Sequence, residues 1–120
     1  MSVQRMQTND RLSGATIFSD LVFLSGQVPG DRSQDVAGQT AQVLEKIDTL
    51  LAEAGSDRSH MLSAQIWLKD IEKDFAAMNT VWSDWLPAGC APARATVEAR
   101  LASADVLVEI MVIAVRKTAA

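Results

Sequence analysis

The sequence predicts an α+β domain in which one β-sheet packs against only two helices. Two stretches repeat apolar residues at helical spacing, and several shorter stretches alternate or are continuously apolar, as strands are. Their order along the chain is β-β-α-β-α-β-β, and an additional N-terminal strand would fit the same plan. A length of 120 residues suits a single domain that spans the whole chain, residues 1–120.

The segment "SGATIFSDLVFLSGQVPGD" predicts a β-hairpin. Its strands are Ala15–Ser19 and Leu21–Ser25, joined by a tight turn at "SD". Gly26, Pro29 and Gly30 then end the strand pattern.

An amphipathic helix is predicted from Val36 to Ala54. Ser33 or Asp35 is placed to cap its start, and Gly55 is placed to stop it. The apolar positions that recur at helical spacing are Val36, Val43, Leu44, Ile47, Leu50, Leu51 and Ala54.

A third strand follows in "HMLSAQIWLKD", where side chains alternate. Those expected to face the core are Leu62, Ala64, Ile66 and Leu68, and those on the other side are Ser63, Gln65, Trp67 and Lys69. Asp70 then caps a second helix, which Pro87 ends. The predicted buried stripe of this helix is Phe75, Met78, Trp82, and Trp85 or Leu86.

Two further strands, Ala93–Leu101 and Val106–Lys117, are joined by "ASAD". Two helices cannot cover both faces of such a sheet, so one face is expected to lack helices. If alternation holds, that face carries Ser63, Gln65, Trp67, Arg94, Thr96, Glu98 and Arg100. It is either solvated or a subunit interface, and Trp67 with the apolar last strand favours the interface.

Composition excludes several classes of protein. No apolar stretch reaches the roughly 20 residues that cross a bilayer, and the N-terminus lacks the apolar core of a secretory signal. The single Cys90 suits a reducing cytoplasm. A net charge of −4 predicts no basic stripe for nucleic acid, although a local patch stays open. The only histidine, His60, is expected at the surface, and Cys90 has no evident base, so no metal site or nucleophile is predicted.

Two charged residues in the closing strands are the best candidates for chemistry. The carboxylate of Glu109 interrupts the apolar run "VLVEIMVIAV", and a buried carboxylate usually pairs, shifts its pKa or does chemistry. Arg94 suits a bidentate grip on a substrate carboxylate. Either residue could instead serve a salt bridge, and Arg94 could simply lie at the surface. A simple hairpin would leave them roughly 13 Å apart along the strands. Either the two strands are not neighbours, or the residues line opposite ends of a small pocket.

Four ordered segments resemble the Rid (reactive intermediate deaminase, YjgF) family: "FLSGQVP", "KDIEKDFAAMNTVW", "PARATVEARL" and "LVEIMVIAV". The resemblance covers about residues 11 to 117. It implies a chorismate-mutase-like fold, a single mixed sheet with two helices on one face, and a homotrimer with ligand clefts between subunits. It also implies a cofactor-independent enamine/imine deaminase that converts 2-imino acids, such as 2-aminoacrylate and 2-iminopropanoate, to 2-keto acids and ammonia.

The resemblance also implies a set of site residues. Arg94 matches the carboxylate-binding arginine and Glu109 the acidic residue that positions or activates water. The matching pocket residues are Ser25, Gly26 and Asn79, and Thr96 stands where many members have cysteine. Leu12 occupies the place of the family's tyrosine, with Arg11 and Ser13 beside it, and Met111 replaces a second acid. These departures suggest a divergent subgroup with a less polar pocket rim.

Three other functions remain as alternatives. The first is a non-catalytic trimer that senses small carboxylates such as 2-keto acids. The second is the nuclease or translation-inhibitor role attached to this family, which the acidic composition and single histidine disfavour. The third is a redox-activated chaperone, for which a single cysteine gives little support.

Overall fold

The structure is a computed structural model that describes residues 2–117, and it forms one six-stranded sheet with two helices. The elements are β1 Gln4–Thr8, β2 Ser13–Phe18, β3 Leu21–Leu24, α1 Val36–Glu53, β4 Met61–Leu68, α2 Ile71–Trp85, β5 Ala93–Glu98 and β6 Val108–Val115. The strand order is β1-β2-β3-β6-β4-β5, and only the β4–β5 pair is parallel. The predicted α+β architecture is therefore confirmed, together with the additional N-terminal strand. No helix within residues 2–117 is long and apolar enough to cross a membrane.

Helix α1 begins and ends where its capping residues predict. The Asp35 carboxylate accepts a hydrogen bond from Gly38 N at 2.9 Å. Gly55 has φ 83°, a left-handed conformation that glycine adopts without strain. Ser56 N then donates to Leu51 O at 2.8 Å, which closes the helix end with a Schellman motif.

Helix α2 is capped by Asp70 as predicted, but its buried stripe differs at one position. Asp70 accepts from Lys73 N at 3.1 Å, and Met78 and Trp82 are buried. Phe75 is instead 41% exposed, and the residue buried in its place is Asp74. The stripe therefore repeats every four residues from Asp74, which the apolar pattern alone did not indicate. Burial raises the pKa of the Asp74 carboxyl.

The sheet buries one face under the helices and leaves the other without helices. The core side includes Ala64, Ile66 and Leu68 of β4, as predicted, whereas Leu62 is exposed because the pairing register shifts between Met61 and Ser63. The helix-free face is largely apolar. Its exposed or half-exposed side chains on β2, β3, β4 and β6 include Phe18, Leu21, Phe23, Ser63, Gln65, Trp67, Met111, Ile113 and Val115.

Strands β5 and β6 are not neighbours, because β4 lies between them. The simple hairpin is therefore wrong, and β5 is an edge strand that ends at Glu98. Its register with β4 pairs Ala64 with Arg94 and Ile66 with Thr96. Since paired residues share a face, Arg94 and Thr96 lie on the helix side of the sheet, opposite to the prediction. The alternating alanines of β5 face the helix-free side.

A buried glutamine anchors the connection that returns the chain from β5 to β6. Gln39 is fully buried in α1, and its Nε2 donates to Asp105 O at 2.9 Å. Its Oε1 accepts from Leu107 N at 2.8 Å. One side-chain amide thus pairs with backbone groups on either side of Val106 and fixes the point at which the chain enters β6.

Asp57 makes the fold sensitive to acid. Its carboxylate accepts from Ser59 N, Ser59 Oγ and His60 Nδ1 at 3.0, 2.6 and 2.6 Å, which holds its pKa at about 2. A carboxyl group whose pKa is lower in the folded than in the unfolded state stabilises the fold at pH values above the unfolded pKa. This contribution to the free energy of unfolding is lost as pH falls from about 4 to 2. Because the site is largely exposed, solvent screening keeps the effect below about 1 kcal/mol. Urea denaturation from pH 2 to 6 should show a smaller acid loss for Asp57→Asn than for wild type.

Candidate active site

Arg94 lies half-buried between β5 and α2, close to an amide and an indole ring. Its Nη1 donates to Asn79 Oδ1 at 2.8 Å, and its guanidinium carbon lies 5.7 Å from the centroid of the Trp82 ring. Burial lowers the pKa of Arg94, but an arginine stays protonated in proteins. No carboxylate within residues 2–117 forms an ion pair with it. A half-buried cation therefore keeps donors available for a ligand.

Two residues of helix α2 form hydrogen bonds with side chains of β5. Ile71 N donates to Glu98 Oε1 at 3.2 Å at one end, and Asn79 contacts Arg94 at the other. Thr96 lies between these contacts, and its Oγ1 is buried with no hydrogen-bond partner among the described residues. An unpaired buried hydroxyl is costly, so it is a candidate ligand contact. We call Arg94, Asn79 and Thr96 the arginine half-site.

Glu109 lies on the opposite, helix-free face, in β6. It lies opposite Trp67 of the neighbouring strand β4, and its carboxylate packs on Gly26. Burial raises the pKa of Glu109, and no ion pair forms with it within residues 2–117. The carboxylate is therefore held in a partly desolvated place without a cation to neutralise it.

Ser25 precedes Gly26, the residue on which Glu109 packs, and its hydroxyl has two hydrogen-bond partners. The Ser25 hydroxyl donates to Gly14 O at 3.3 Å, and Gln27 Nε2 donates to Ser25 Oγ at 3.1 Å. The Gln27 backbone pairs with Ile110 in both directions, at 2.8 and 3.1 Å. Sequence reasoning did not single out Gln27, and its only signal was its place in "SGQ". We call Ser25, Gly26 and Glu109 the glutamate half-site.

Leu12 lies in the turn between β1 and β2 and is 54% exposed. The Asn9 side chain accepts from Arg11 N and Leu12 N, at 2.8 and 3.0 Å, which holds this turn. Leu12 lies two residues before Gly14. The carbonyl of Gly14 accepts hydrogen bonds from Ser25 N and Ser25 Oγ. Arg11 lines a shallow concavity with Asn9 and Asp10, and the Ser13 hydroxyl is 2.8 Å from that of Thr8.

The two half-sites do not meet within one chain. Arg94 is paired with Ala64 and Glu109 with Trp67, so they are separated by about 10 Å along β4 and about 10 Å across it. They also lie on opposite faces of the sheet. The alternative of one small pocket within the chain is therefore wrong, and any shared ligand would need a second copy of the chain.

The remaining sequence candidates lie apart from both half-sites. His60 is engaged by Asp57, and Cys90 lies in the turn after α2, where its backbone N donates to Pro87 O. Within residues 2–117 no group of three or more metal-ligating side chains occurs. A cavity of about 620 Å³ is lined by Lys69 and residues 98–104, at the far end of β5 from Arg94.

Replacing Gly26 tests how closely the backbone and Glu109 are packed. A Cβ at position 26 would lie 2.1 Å from Glu109 Oε2, so Gly26→Ala must displace the carboxylate. Since a misplaced catalytic group costs up to about a hundredfold, we expect a comparable loss of any activity that depends on Glu109. Steady-state kinetics would measure it, with Gly30→Ala as a matched control because a Cβ there meets nothing within 4 Å. Equal activity in the two variants would contradict the prediction.

Comparisons with known proteins identify the family of the chain. The family model described as endoribonuclease L-PSP matches residues 2–116. A RutC family protein from Haemophilus influenzae is 44% identical over 115 residues, covering 95% of this chain and 98% of the relative. The RutC family protein YoaB from Escherichia coli K12 is 40% identical over 114 residues, with coverages of 95% and 98%.

Solved structures give the same result. A YjgF family protein from Neisseria meningitidis has a TM-score of 0.96 at 48% identity, covering 99% of this chain and 98% of that one. A Rid family protein from Yersinia pestis has a TM-score of 0.87 at 30% identity, with coverages of 95% and 99%. The chain therefore belongs to the Rid family, which its relatives and the matching model also name YjgF, RutC and endoribonuclease L-PSP.

Proposed function

We propose that the protein hydrolyses 2-imino acids and their enamine tautomers, of the 2-iminopropanoate and 2-aminoacrylate type, to 2-keto acids and ammonia. The observation that carries the proposal is a pair of half-buried, oppositely charged groups, Arg94 and Glu109, neither of which has an ionic partner within residues 2–117. A 2-imino acid offers a carboxylate for the first group and an electrophilic carbon for a water held by the second.

The arginine half-site would bind the substrate carboxylate. The Arg94 guanidinium can grip two carboxylate oxygens at once, and the Asn79 bond at 2.8 Å fixes its orientation. The Thr96 hydroxyl, buried and without a partner among the described residues, would donate a further hydrogen bond. This grip contributes mainly by orienting the substrate.

The glutamate half-site would activate water. Glu109 removes a proton from the water as its oxygen attacks the imine carbon, and the C=N bond becomes a single bond in a carbinolamine. The proton held by Glu109 passes to nitrogen, which completes the neutral carbinolamine. Glu109 then takes the proton of the carbinolamine hydroxyl and passes it to nitrogen as the C–N bond breaks, so ammonia leaves and the keto group forms. Water and imine are thus converted to keto acid and ammonia with no other reactant.

The proposed assembly is a homotrimer with clefts between subunits. The helix-free face exposes Phe18, Leu21 and Phe23 beside the apolar side chains of β6, and such a patch is typical of an interface. Each cleft would combine the arginine half-site of one copy with the glutamate half-site of its neighbour. This assignment follows from their positions on opposite faces of the sheet.

The chain's acidity does not favour the nuclease name carried by the family model. A net charge of −4 disfavours contact with a phosphate backbone. An RNA-binding titration at physiological ionic strength would reveal such a contact, and tight, salt-dependent binding would contradict the proposal.

Mixing two inactive variants tests the proposed function. An amino-acid oxidase supplies 2-imino acids from a panel of amino acids, and trapping by semicarbazide reports their lifetime. Arg94→Ala and Glu109→Gln should each be inactive alone. After unfolding and refolding together in equal amounts, about one quarter of clefts should combine the two intact half-sites and regain activity.

The controls separate the function from the assembly. A double variant with both substitutions, refolded alone, should stay inactive. Wild type that leaves imine lifetimes at background across the panel would overturn the deaminase function and favour a carboxylate sensor. Active wild type without recovery in the mixture would overturn the shared cleft alone.

A further inference from the structure

Gln27 lies beside the glutamate half-site but has no role in the proposed reaction. Its Nε2 is 3.1 Å from Ser25 O and 3.1 Å from Ser25 Oγ, and its backbone is paired with Ile110, the residue after Glu109. It therefore connects the strand of Glu109 to the side chain of Ser25.

The hydrogen-bond pattern fixes the orientation of the Ser25 hydroxyl. A backbone carbonyl can only accept, so the Gln27 atom beside Ser25 O must be the amide nitrogen. Because the same nitrogen donates to Ser25 Oγ, the hydroxyl accepts there and directs its own hydrogen to Gly14 O at 3.3 Å. One lone pair of Ser25 Oγ remains, and no hydrogen does.

We infer that Gln27 is a positioning residue that makes Ser25 a hydrogen-bond acceptor toward the cleft, so that the site favours the N–H of an imine over the carbonyl of the keto acid product. The inference rests on the proposed function, which supplies the two ligands. An imine or carbinolamine nitrogen carries hydrogens that Ser25 can accept, whereas a keto oxygen can only accept and meets an acceptor. The arrangement lowers the affinity of the product relative to the substrate.

Replacing the amide should affect substrate and product in opposite directions. In Gln27→Leu the Ser25 hydroxyl can rotate and donate to a keto oxygen. We expect kcat/KM for imine hydrolysis to fall about fivefold to tenfold and the Kd of the 2-keto acid to tighten about threefold. A merely structural role would weaken both. Gln42→Leu is the matched control, because Gln27 and Gln42 line one surface groove but the Gln42 amide bonds the backbone of Asp31 instead of Ser25.

The experiment measures imine kinetics and pyruvate binding for wild type, Gln27→Leu, Gln42→Leu, Ser25→Ala and the Gln27→Leu/Ser25→Ala double variant. The tightening of pyruvate binding should vanish in the Ser25→Ala background, and Gln42→Leu should match wild type. Weaker binding of both ligands in Gln27→Leu, or tightening that persists without Ser25, would overturn the inference. The pyruvate measurements decide this even if wild type proves inactive on imines, a result that would overturn the proposed function separately.

Discussion

Arg94→Lys is expected to lower kcat/KM for 2-imino acids by about one to two orders of magnitude, although the positive charge is retained. A lysine supplies a point charge in place of the two-pronged contact, and its ammonium cannot reproduce both the Asn79 bond and a bidentate grip. Arg94→Ala removes the charge as well and should cost roughly a thousandfold. The affinity for pyruvate should fall as well, because a keto acid carries the same carboxylate.

The measurement is the semicarbazide-trapping assay together with pyruvate titration. Arg100→Ala is the matched control, since it removes an exposed arginine of the same chain segment. The lysine variant should retain its fold, because lysine keeps a long aliphatic stem and a cation that can lie near the Trp82 ring, as the guanidinium of Arg94 does. Arg94→Lys with wild-type kinetics would show that the guanidinium does not hold the substrate.

Glu109→Gln is expected to reduce kcat by about two to four orders of magnitude while pyruvate affinity stays unchanged. The amide keeps the shape of the side chain on Gly26 but cannot take a proton from water. Glu72→Gln, which neutralises an exposed carboxylate on α2, is the control and should behave as wild type. Unchanged kcat in Glu109→Gln would show that another group activates water.

The pH dependence provides an independent signature of Glu109. Burial raises its pKa, and the base must be ionised, so wild-type kcat should rise with pH through a value above the ordinary glutamate range. A carboxyl group whose pKa is raised by folding contributes most to the stability of the folded state at pH values below its pKa in the unfolded chain. That contribution is lost as pH rises through its pKa in the folded protein. Denaturation should therefore find Glu109→Gln at least as stable as wild type at pH 7, with the advantage shrinking at pH 4.

The sequence predicted the helices and the sheet well because their signals are local. Asp35, Gly55 and Asp70 act at the helix ends where their backbone and side-chain chemistry indicates. The prediction of which β5 side chains face the helices was wrong. The segment "ARATVEAR" alternates small with polar residues, and such alternation shows that the strand has two different faces without showing which one lies under a helix. Only the parallel pairing with β4 reveals that Arg94 faces α2.

The candidate residues could be named from the sequence, but their grouping could not. The packing of Glu109 on Gly26 joins positions more than 80 residues apart, and no periodicity reports such a contact. Similarly, the bond from Gln27 to Ser25 depends on how one amide is turned. The first contact becomes visible only when the sheet order is known, and the second only when the side-chain conformation is known.

The separation of the two half-sites on opposite faces has a genetic consequence. In the proposed trimer every copy belongs to two clefts, contributing Arg94 to one and Glu109 to the other. An allele that damages one half-site alone disables a single cleft for each mutant copy. An allele that damages both disables two, so in a mixed population it behaves as a dominant-negative allele and lowers activity more steeply than its own share of the chains.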